Sequence, residues 1–310
     1  MFTVTDLPID RGILQQREEI FTGIRCVISP DRLQRRINTG EFLIRGSDDC
    51  QFCPDRFAQF TPTFEDGKRI YRGESITFPN LYPFSCHHTV TVITRAHQVD
   101  RFTKKQIADA FHAQAGLLAR TDGYPSINWN YLASAGASVD HPHLQGLSDD
   151  RPSTLAERYI VACKRYQQKH GSCYWDDWIA HETATERYLF GDEITWFAHA
   201  VPLGDREVRA ILPIKCVGDL PSYIDTLAEG MLEVIDLYRL TGTHAFNTSL
   251  FFDRAAGSTH GFRAFCSMIS RINPNRYSIS DSAFMERIHF MPVILTMPEE
   301  FGRKYRELKN

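Results

Sequence analysis

One order of segments occurs twice in this chain, and it limits the fold more than any other feature. From Ile76 the runs "ITFPNLYPF" and "TVTVITRAH" read as two strands, the second with apolar residues alternating over its first half. "TKKQIADAFHAQAGLLART" follows with helical spacing and "TDGYPS" as its stop, and "SINWNYLASAG" reads as a strand ahead of a histidine segment. In the second half "ITWFAHAVP", "EVRAILPIKC", the helical "LPSYIDTLAEGMLEVIDLYRLTG", "AFNTSLFFD" and "FRAFCSMIS" take the same roles in the same order. Aligned this way, Cys216 falls where His97 stands, and Ser267 or its neighbours fall where His141 and His143 stand. A repeat of more than a hundred residues suits a duplicated unit of strands and helices rather than a solenoid. Two unrelated strand, strand, helix, strand, strand units would read alike.

Between the halves, "STLAERYIVACKRYQQKHGSCYWDDWIAHETATERYLF" is helical by pattern and rich in charge and aromatics, a structured connection rather than a linker. The C-terminal "MERIHFMPVILTMPEEFGRKYRE" reads as a helix, a short apolar strand and a charged helix. With 43% hydrophobic and 24% charged residues and a net charge of −3, the chain is an ordinary soluble globular type. Nothing in that balance points to nucleic acid as a partner. The first residues lack the uninterrupted apolar core of a signal peptide, and no apolar run approaches the ~20 residues a bilayer requires. The expected localisation is cytoplasmic, with no membrane partner. Six of the eight cysteines are scattered singly, as buried thiols are; Cys50 and Cys53 differ, because "CQFC" is a chelating spacing.

The histidine segment "ASVDHPHLQG" carries the chemistry. Side chains two apart in an extended segment point the same way, so His141 and His143 can address one site. Cys50, Cys53 and two histidines, His97 and His141, would make a closed tetrahedral zinc set of the structural kind; two reduced thiols in a loop is the alternative. His143 then remains for chemistry: a neutral imidazole whose one nitrogen donates to a backbone carbonyl offers the other as a nucleophile, and phosphorus suits it as an electrophile. Gln145 lies on the same face and can donate its amide to a phosphate oxygen, while Ser138 and the small residues of "ASAGAS" bring hydroxyl and backbone N–H groups.

The run "NYLASAGASVDHPHLQ" resembles the active-site signature of the galactose-1-phosphate uridylyltransferases, in which Asn, Gly and Ser precede HPHGQ at fixed spacings; Asn130, Gly136, Ser138, His141, His143 and Gln145 fall in register with it. This family is the transferase branch of the histidine-triad superfamily, with glutamine where the hydrolases have a third histidine. "CQFCPDR" is similar to its zinc-binding CxxCP, "TRAHQVDRF" to its zinc-binding histidine before a helix, "ITFPNLYPF" to its nucleoside-contacting strand, and "QRRINTGEF" to its arginine-bearing turn. The likeness covers roughly residues 32 to 305, with "TERYLFGDEITWFAHAVP" resembling the start of the family's second half. It implies an α+β fold of duplicated histidine-triad-like antiparallel sheet units with helices packed on them. Residues 1–180 would form the catalytic half with the zinc site, and 181–310 a second half without the histidine motif.

Carried over residue by residue, the resemblance implies Zn2+ on Cys50, Cys53, His97 and His141, and His143 as the nucleophile that takes a nucleoside monophosphate. Gln145 would hold the phosphoryl oxygens, Ser138, Asn130, Gly136 and Arg36 would meet the phosphates, and Phe78 and Asn80 would line the nucleoside pocket. The partners implied are a nucleotide sugar or other nucleotide and a phosphate-bearing small molecule, and the assembly a homodimer. Two positions depart from the family: Leu144 stands for the glycine after the nucleophile and Leu132 for another glycine. Leu144 is more like the nucleotide phosphorylases of the superfamily. The readings are therefore a nucleotidyltransferase, a phosphorylase or hydrolase using the same His143, and a non-catalytic nucleotide binder. Arg271, Asn273 and Arg276 in "SRINPNRYS" are phosphate-binding candidates or a solvated turn; His87 and His88 are phosphate contacts or ordinary strand positions.

Overall fold

A computed structural model describes residues 1–9, 12–34, 44, 46–256, 259–275 and 280–309. Arg36 and Arg276 lie outside the described residues. The elements, in chain order, are β1 (Phe2–Asp6), β2 (Gln15–Glu19), β3 (Arg25–Ile28), α1 (Pro54–Phe60), β4 (Ile70–Arg72), β5 (Ser75–Pro79), β6 (His87–Val92), α2 (Lys104–Leu118), β7 (Tyr124–Tyr131) and β8 (His143–Asp149). There follow α3 (Thr154–His170), α4 (Tyr174–Glu182), β9 (Tyr188–Phe190), β10 (Thr195–Ala198), β11 (Val208–Ile211), α5 (Ile224–Leu240), β12 (Phe246–Phe251), β13 (Phe265–Ser270), α6 (Phe284–Arg287), β14 (Val293–Ile294) and α7 (Pro298–Lys309). The fold is α+β. A ten-stranded antiparallel sheet runs in the order β4-β5-β6-β8-β7-β12-β13-β11-β10-β9, and a four-stranded sheet in the order β1-β2-β3-β14.

The large sheet is two alike halves joined along β7 and β12, which pair antiparallel with Asn130 opposite Asn247. Strand order outward from that seam is the same on both sides, and each half sends one helix, α2 or α5, over the same face. The sequence explains the layering. Along β7 the burial alternates strictly, with Ile127, Trp129 and Tyr131 turned into the helix-covered core and Ser126, Asn128 and Asn130 turned the other way. Thr103 caps α2 in a capping box with Gln106.

The opposite face is covered unevenly. Over the second half, β3, α3 and α4 bury an aromatic cluster that includes Tyr159, Trp175, Trp178, Phe197 and Phe265. Over the outer part of the first half, Phe52 and Phe57 pack on Phe78, Val90 and Val92. Between these two covers the sheet carries polar side chains, and there the histidine segment lies.

Register settles which residues correspond across the halves. Ile93 N–H donates to the Pro142 carbonyl at 3.0 Å as Leu212 N–H donates to that of Ala264 at 2.9 Å. Cys216 is therefore the counterpart of His97, four residues past the equivalent strand position. Val92 faces His143 and Ile211 faces Phe265, so His143 corresponds to Phe265, His141 to Arg263 and Gln145 to Ser267. The alignment read from sequence set Ser267 two residues off; Ser267 matches the glutamine, not a histidine. The strand expected over residues 76–84 ends at Pro79; Asn80 N–H still donates to the His88 carbonyl at 2.9 Å, and Asn80 Oδ1 then opens a turn by accepting from Tyr82 N–H. The N-terminal sheet carries too little apolar alternation, in "FTVTD" and "QQREE", to be read from sequence.

Candidate active site

Cys50, Cys53, His97 and His141 come together, their ligand atoms all within 4.8 Å of one another. Cys53 opens α1 with Pro54 behind it, His97 lies in the turn after β6, and His141 precedes β8. His141 Nδ1 is 3.7 Å from Cys50 Sγ and 3.6 Å from Cys53 Sγ, and His97 Nδ1 is 3.5 Å from Cys53 Sγ. A tetrahedral ion with Zn–S about 2.3 Å and Zn–N about 2.0 Å sets sulfur and nitrogen about 3.5 Å apart, so the four residues fit such an ion. The His141 Nε2–H donates to the Thr94 carbonyl at 2.8 Å, which leaves Nδ1 its lone pair toward the sulfurs. Burial brings His141 down to about 4, keeping it neutral. Burial, with Cys50 beside it, pushes the Cys53 thiol up to about 12; thiolates here need a cation between them. This cluster could hold a metal ion.

His143 opens β8 on the sheet face away from α2. Its Nδ1 stands 2.8 Å from the His141 carbonyl; as that oxygen only accepts, the proton sits on Nδ1 and Nε2 carries the lone pair. Burial holds its pKa below the ordinary value. His143 is only 5% exposed as a residue, and its ring lies edge to face with Phe52 at 5.2 Å between centroids, which restricts water. Gln145 is two residues on and on the same face. His88 Nε2 lies 2.9 Å from both Gln145 Oε1 and Asn80 Nδ2, so one ring links Gln145 with the turn after β5. His88 thus faces the site and His87 the other side. Phe78 is buried against Phe52 and Phe57, a floor rather than an open stacking surface.

Leu144 is fully buried in the core under α2, on the face opposite His143. Its departure from glycine alters core packing, not the lining of the site. Leu132, the other departure, has φ 73° and ψ 163°, a conformation glycine adopts freely and leucine does not. It begins a 3-10 turn over Ala133–Ala135 that closes with Gly136 at φ 87°, and strained backbone of this kind stands at the loop that carries Gly136 and the exposed Ser138.

Asn247 belongs to this face and was missed from sequence. The signal existed: "AFNTSLFF" alternates polar and apolar residues, and in the repeat it stands where the strand bearing Asn130 stands. Asn247 Nδ2 donates to Asn130 Oδ1 and to the Ala135 carbonyl, each at 2.7 Å. Arg271 is engaged rather than open to a ligand: it donates to Asn247 Oδ1 at 2.6 Å and pairs with Asp281. Asn273 holds Gly242 and His244 and is buried.

The equivalent face of the second half is filled by buried side chains. Phe265 stands where His143 stands in the first half, and Glu19 of β2, Tyr159 of α3, Glu207 and Arg209 fill the space. Arg209 meets Glu207 at 2.6 Å, Ser267 Oγ donates to Glu207 at 2.7 Å, and Tyr159 OH donates to Glu19 at 3.0 Å. His199 Nε2 lies 3.5 Å from Glu19. Burial alone would raise the Glu207 pKa, but Arg209 and His199 outweigh it and hold the carboxyl below its ordinary value.

No helix among the described residues is long and apolar enough to cross a membrane. No protein-family model matches the chain. An uncharacterized protein of Archaeoglobus fulgidus is 27% identical over 269 residues, covering 84% of this chain and 81% of its own. Among solved structures, an ADP-glucose phosphorylase from Arabidopsis thaliana with bound ADP-glucose superposes with a TM-score of 0.73 at 16% identity, covering 95% of this chain and 99% of that one. A uridylyltransferase superposes with a TM-score of 0.69 at 18% identity, covering 94% of this chain and 97% of that one. Over nearly its whole length, the chain has the fold of the uridylyltransferases and of ADP-glucose phosphorylase.

Proposed function

We propose that this chain is a nucleotidyltransferase that moves a nucleoside monophosphate from a nucleotide sugar to a sugar 1-phosphate or similar phosphate acceptor through a nucleotidyl-histidine at His143. The observation that carries the reading is the locked tautomer. With the Nδ1 proton held by the His141 carbonyl, Nε2 presents a lone pair on the sheet face that Gln145 and, on the adjacent strand, Asn130 also occupy. Attack of Nε2 on the α-phosphorus forms the N–P bond and breaks the P–O bond to the sugar phosphate, which leaves with the electron pair. The Nδ1 proton stays in place, its carbonyl partner favouring the positive charge the ring acquires. Attack by an acceptor phosphate oxygen then forms a P–O bond, breaks the P–N bond and restores neutral His143. Gln145 and Asn130 would meet the phosphoryl oxygens as uncharged donors, with no proton transferred.

Cys50, Cys53, His97 and His141 would hold Zn2+ as a closed structural set. Bound there, it would fix the backbone of His141, and with it the carbonyl that orients His143, without contacting substrate. Inorganic phosphate is the second acceptor weighed, because ADP-glucose phosphorylase shares the fold; Leu144, buried away from the site, does not decide between the two.

The test is intact-protein mass after incubation with UDP-glucose, ADP-glucose or a dinucleoside polyphosphate, for wild type and His143→Ala. An acid-labile nucleoside monophosphate adduct on wild type alone is expected. Discharge of the isolated adduct by sugar 1-phosphate, inorganic phosphate or water then names the acceptor. Donor binding without any adduct would overturn the covalent reading.

A further inference from the structure

The transferase reading asks Asn130 to present an N–H donor to an anionic phosphate, and an asparagine amide can as easily turn its oxygen that way. The side chains around it leave no choice. Arginine only donates, so the Asn247 atom that Arg271 Nη1 meets at 2.6 Å is Oδ1. Asn247 Nδ2 therefore points the other way, where the Ala135 carbonyl, an acceptor only, takes one hydrogen at 2.7 Å. The remaining hydrogen goes to Asn130 at 2.7 Å, and an atom that accepts from it must be Oδ1. The Asn130 amino group is thereby turned out to the open face of the sheet.

The start of this chain of bonds is itself anchored. Arg271 Nε donates to Asp281 at 2.6 Å, its backbone N–H is held by the Ala245 carbonyl at 2.8 Å, and its side chain is only 12% exposed. Asn247 also sits directly opposite Asn130 in the β7–β12 ladder, so the contact is a cross-strand pair fixed by register. Through Ala135 the same side chain grips the turn that follows the strained Leu132 and leads to Gly136 and Ser138.

We infer that Asn247, supplied by the second half of the chain, is a positioning residue for phosphoryl transfer. Held by Arg271, it sets the direction of the Asn130 amide and anchors the 132–138 loop. It does not touch substrate. This deepens the proposed function and rests on it. It also gives the second half, which has no nucleophile, a part in the chemistry of the first.

The discriminating substitution is Asn247→Asp. A carboxylate still accepts from Arg271, so the fold is kept, but it cannot donate to Asn130 or Ala135; it repels Oδ1 and reverses the Asn130 amide. Adduct formation from a nucleotide sugar should slow by on the order of ten- to a hundredfold, the range for a misdirected phosphoryl donor, at unchanged metal content and melting temperature. If Asn247 acts through Asn130 and its loop, adding Asn247→Asp to Asn130→Ala slows the reaction by no more than about twofold further, whereas independent roles multiply. Asn247→Ala, which removes the repulsion, should be less impaired than Asn247→Asp. A wild-type rate in Asn247→Asp, or multiplied losses in the double variant, overturns the inference.

The Asn130 side-chain amide resonances provide a reading that needs no activity. Asn247→Asp should shift them, and inorganic pyrophosphate should perturb them in wild type more than in the variant. Resonances that ignore the substitution overturn the inference. Shifted resonances in a protein whose wild type forms no adduct would uphold the amide orientation while the transferase reading falls.

Discussion

Arg209→Met tests whether the second half is a filled copy of the active site. Arg209 is fully buried, with Glu207 at 2.6 Å and the rings of Tyr159 and Phe265 at 5.2 and 5.4 Å from its guanidinium carbon. Glu19 and Glu207 are buried beside it, and His199 is the other basic side chain within reach. Methionine fills most of the volume, so the cost comes from the two carboxylates left without their arginine. Breaking a buried ion pair in this way costs about 3–5 kcal/mol. Unfolding entropy of about 2.1 cal/mol/K per residue gives this chain about 0.65 kcal/mol/K, so the melting temperature should fall by about 5–8 °C. The assay is calorimetry at pH 7 and again near pH 4. The deficit should shrink in acid, where burial now drives both carboxyls to take up protons in the variant. A drop under about 2 °C, or one equal at both pH values, would refute the view that Arg209 compensates charge in a plugged site.

Chelation, or Cys53→Ser, should release α1, in which only Phe57 is buried, while α2 and α5 stay protected. Hydrogen exchange should show α1 amides faster by on the order of a hundredfold or more, and uniform exchange across the three helices would count against a local clamp. Stability should decline in acid, starting below the ordinary histidine value of about 6.5, because burial keeps His141 and His143 neutral in the folded state while the unfolded chain takes up protons there. The pKa of Glu19, Glu207 and Glu299 is depressed in the folded state, where burial alone would raise it but nearby cations outweigh it; for Glu299 these are Arg17 and Arg187. Their contribution is full above the ordinary value of about 4.3 and is lost as pH falls through the folded values. Denaturant midpoints from pH 7 to 3 measure it, and a rise in acid would contradict the sign.

Much of the candidate site was legible because its residues cluster in two short segments. "CQFC" and "DHPHLQ" report the spacing that chelation and same-face alternation require, and the structure brings Cys50, Cys53, His97 and His141 together. The repeated order of segments gave the sheet, since α2, α5 and the strands beside them are strongly periodic. What sequence could not show depends on pairing over long distances. Asn247 matters through a partner on another strand, and the departure at Leu144 concerns core packing under α2. Arg271 has the composition of a phosphate ligand, yet Asp281 and Asn247 occupy it. Glu19 and Tyr159 meet Arg209 only because β2 and α3 fold over the second half.

The seam between β7 and β12 also governs how the chain must assemble. The two strands are more than a hundred residues apart in sequence, so their ladder closes a long loop and forms slowly. Until it does, each half-sheet ends in an open inner edge of strong β character, and because the halves are alike, the edge of another chain is nearly as good a partner as the right one. Refolding at high concentration should therefore yield strand-exchanged oligomers, and dilution the monomeric sheet.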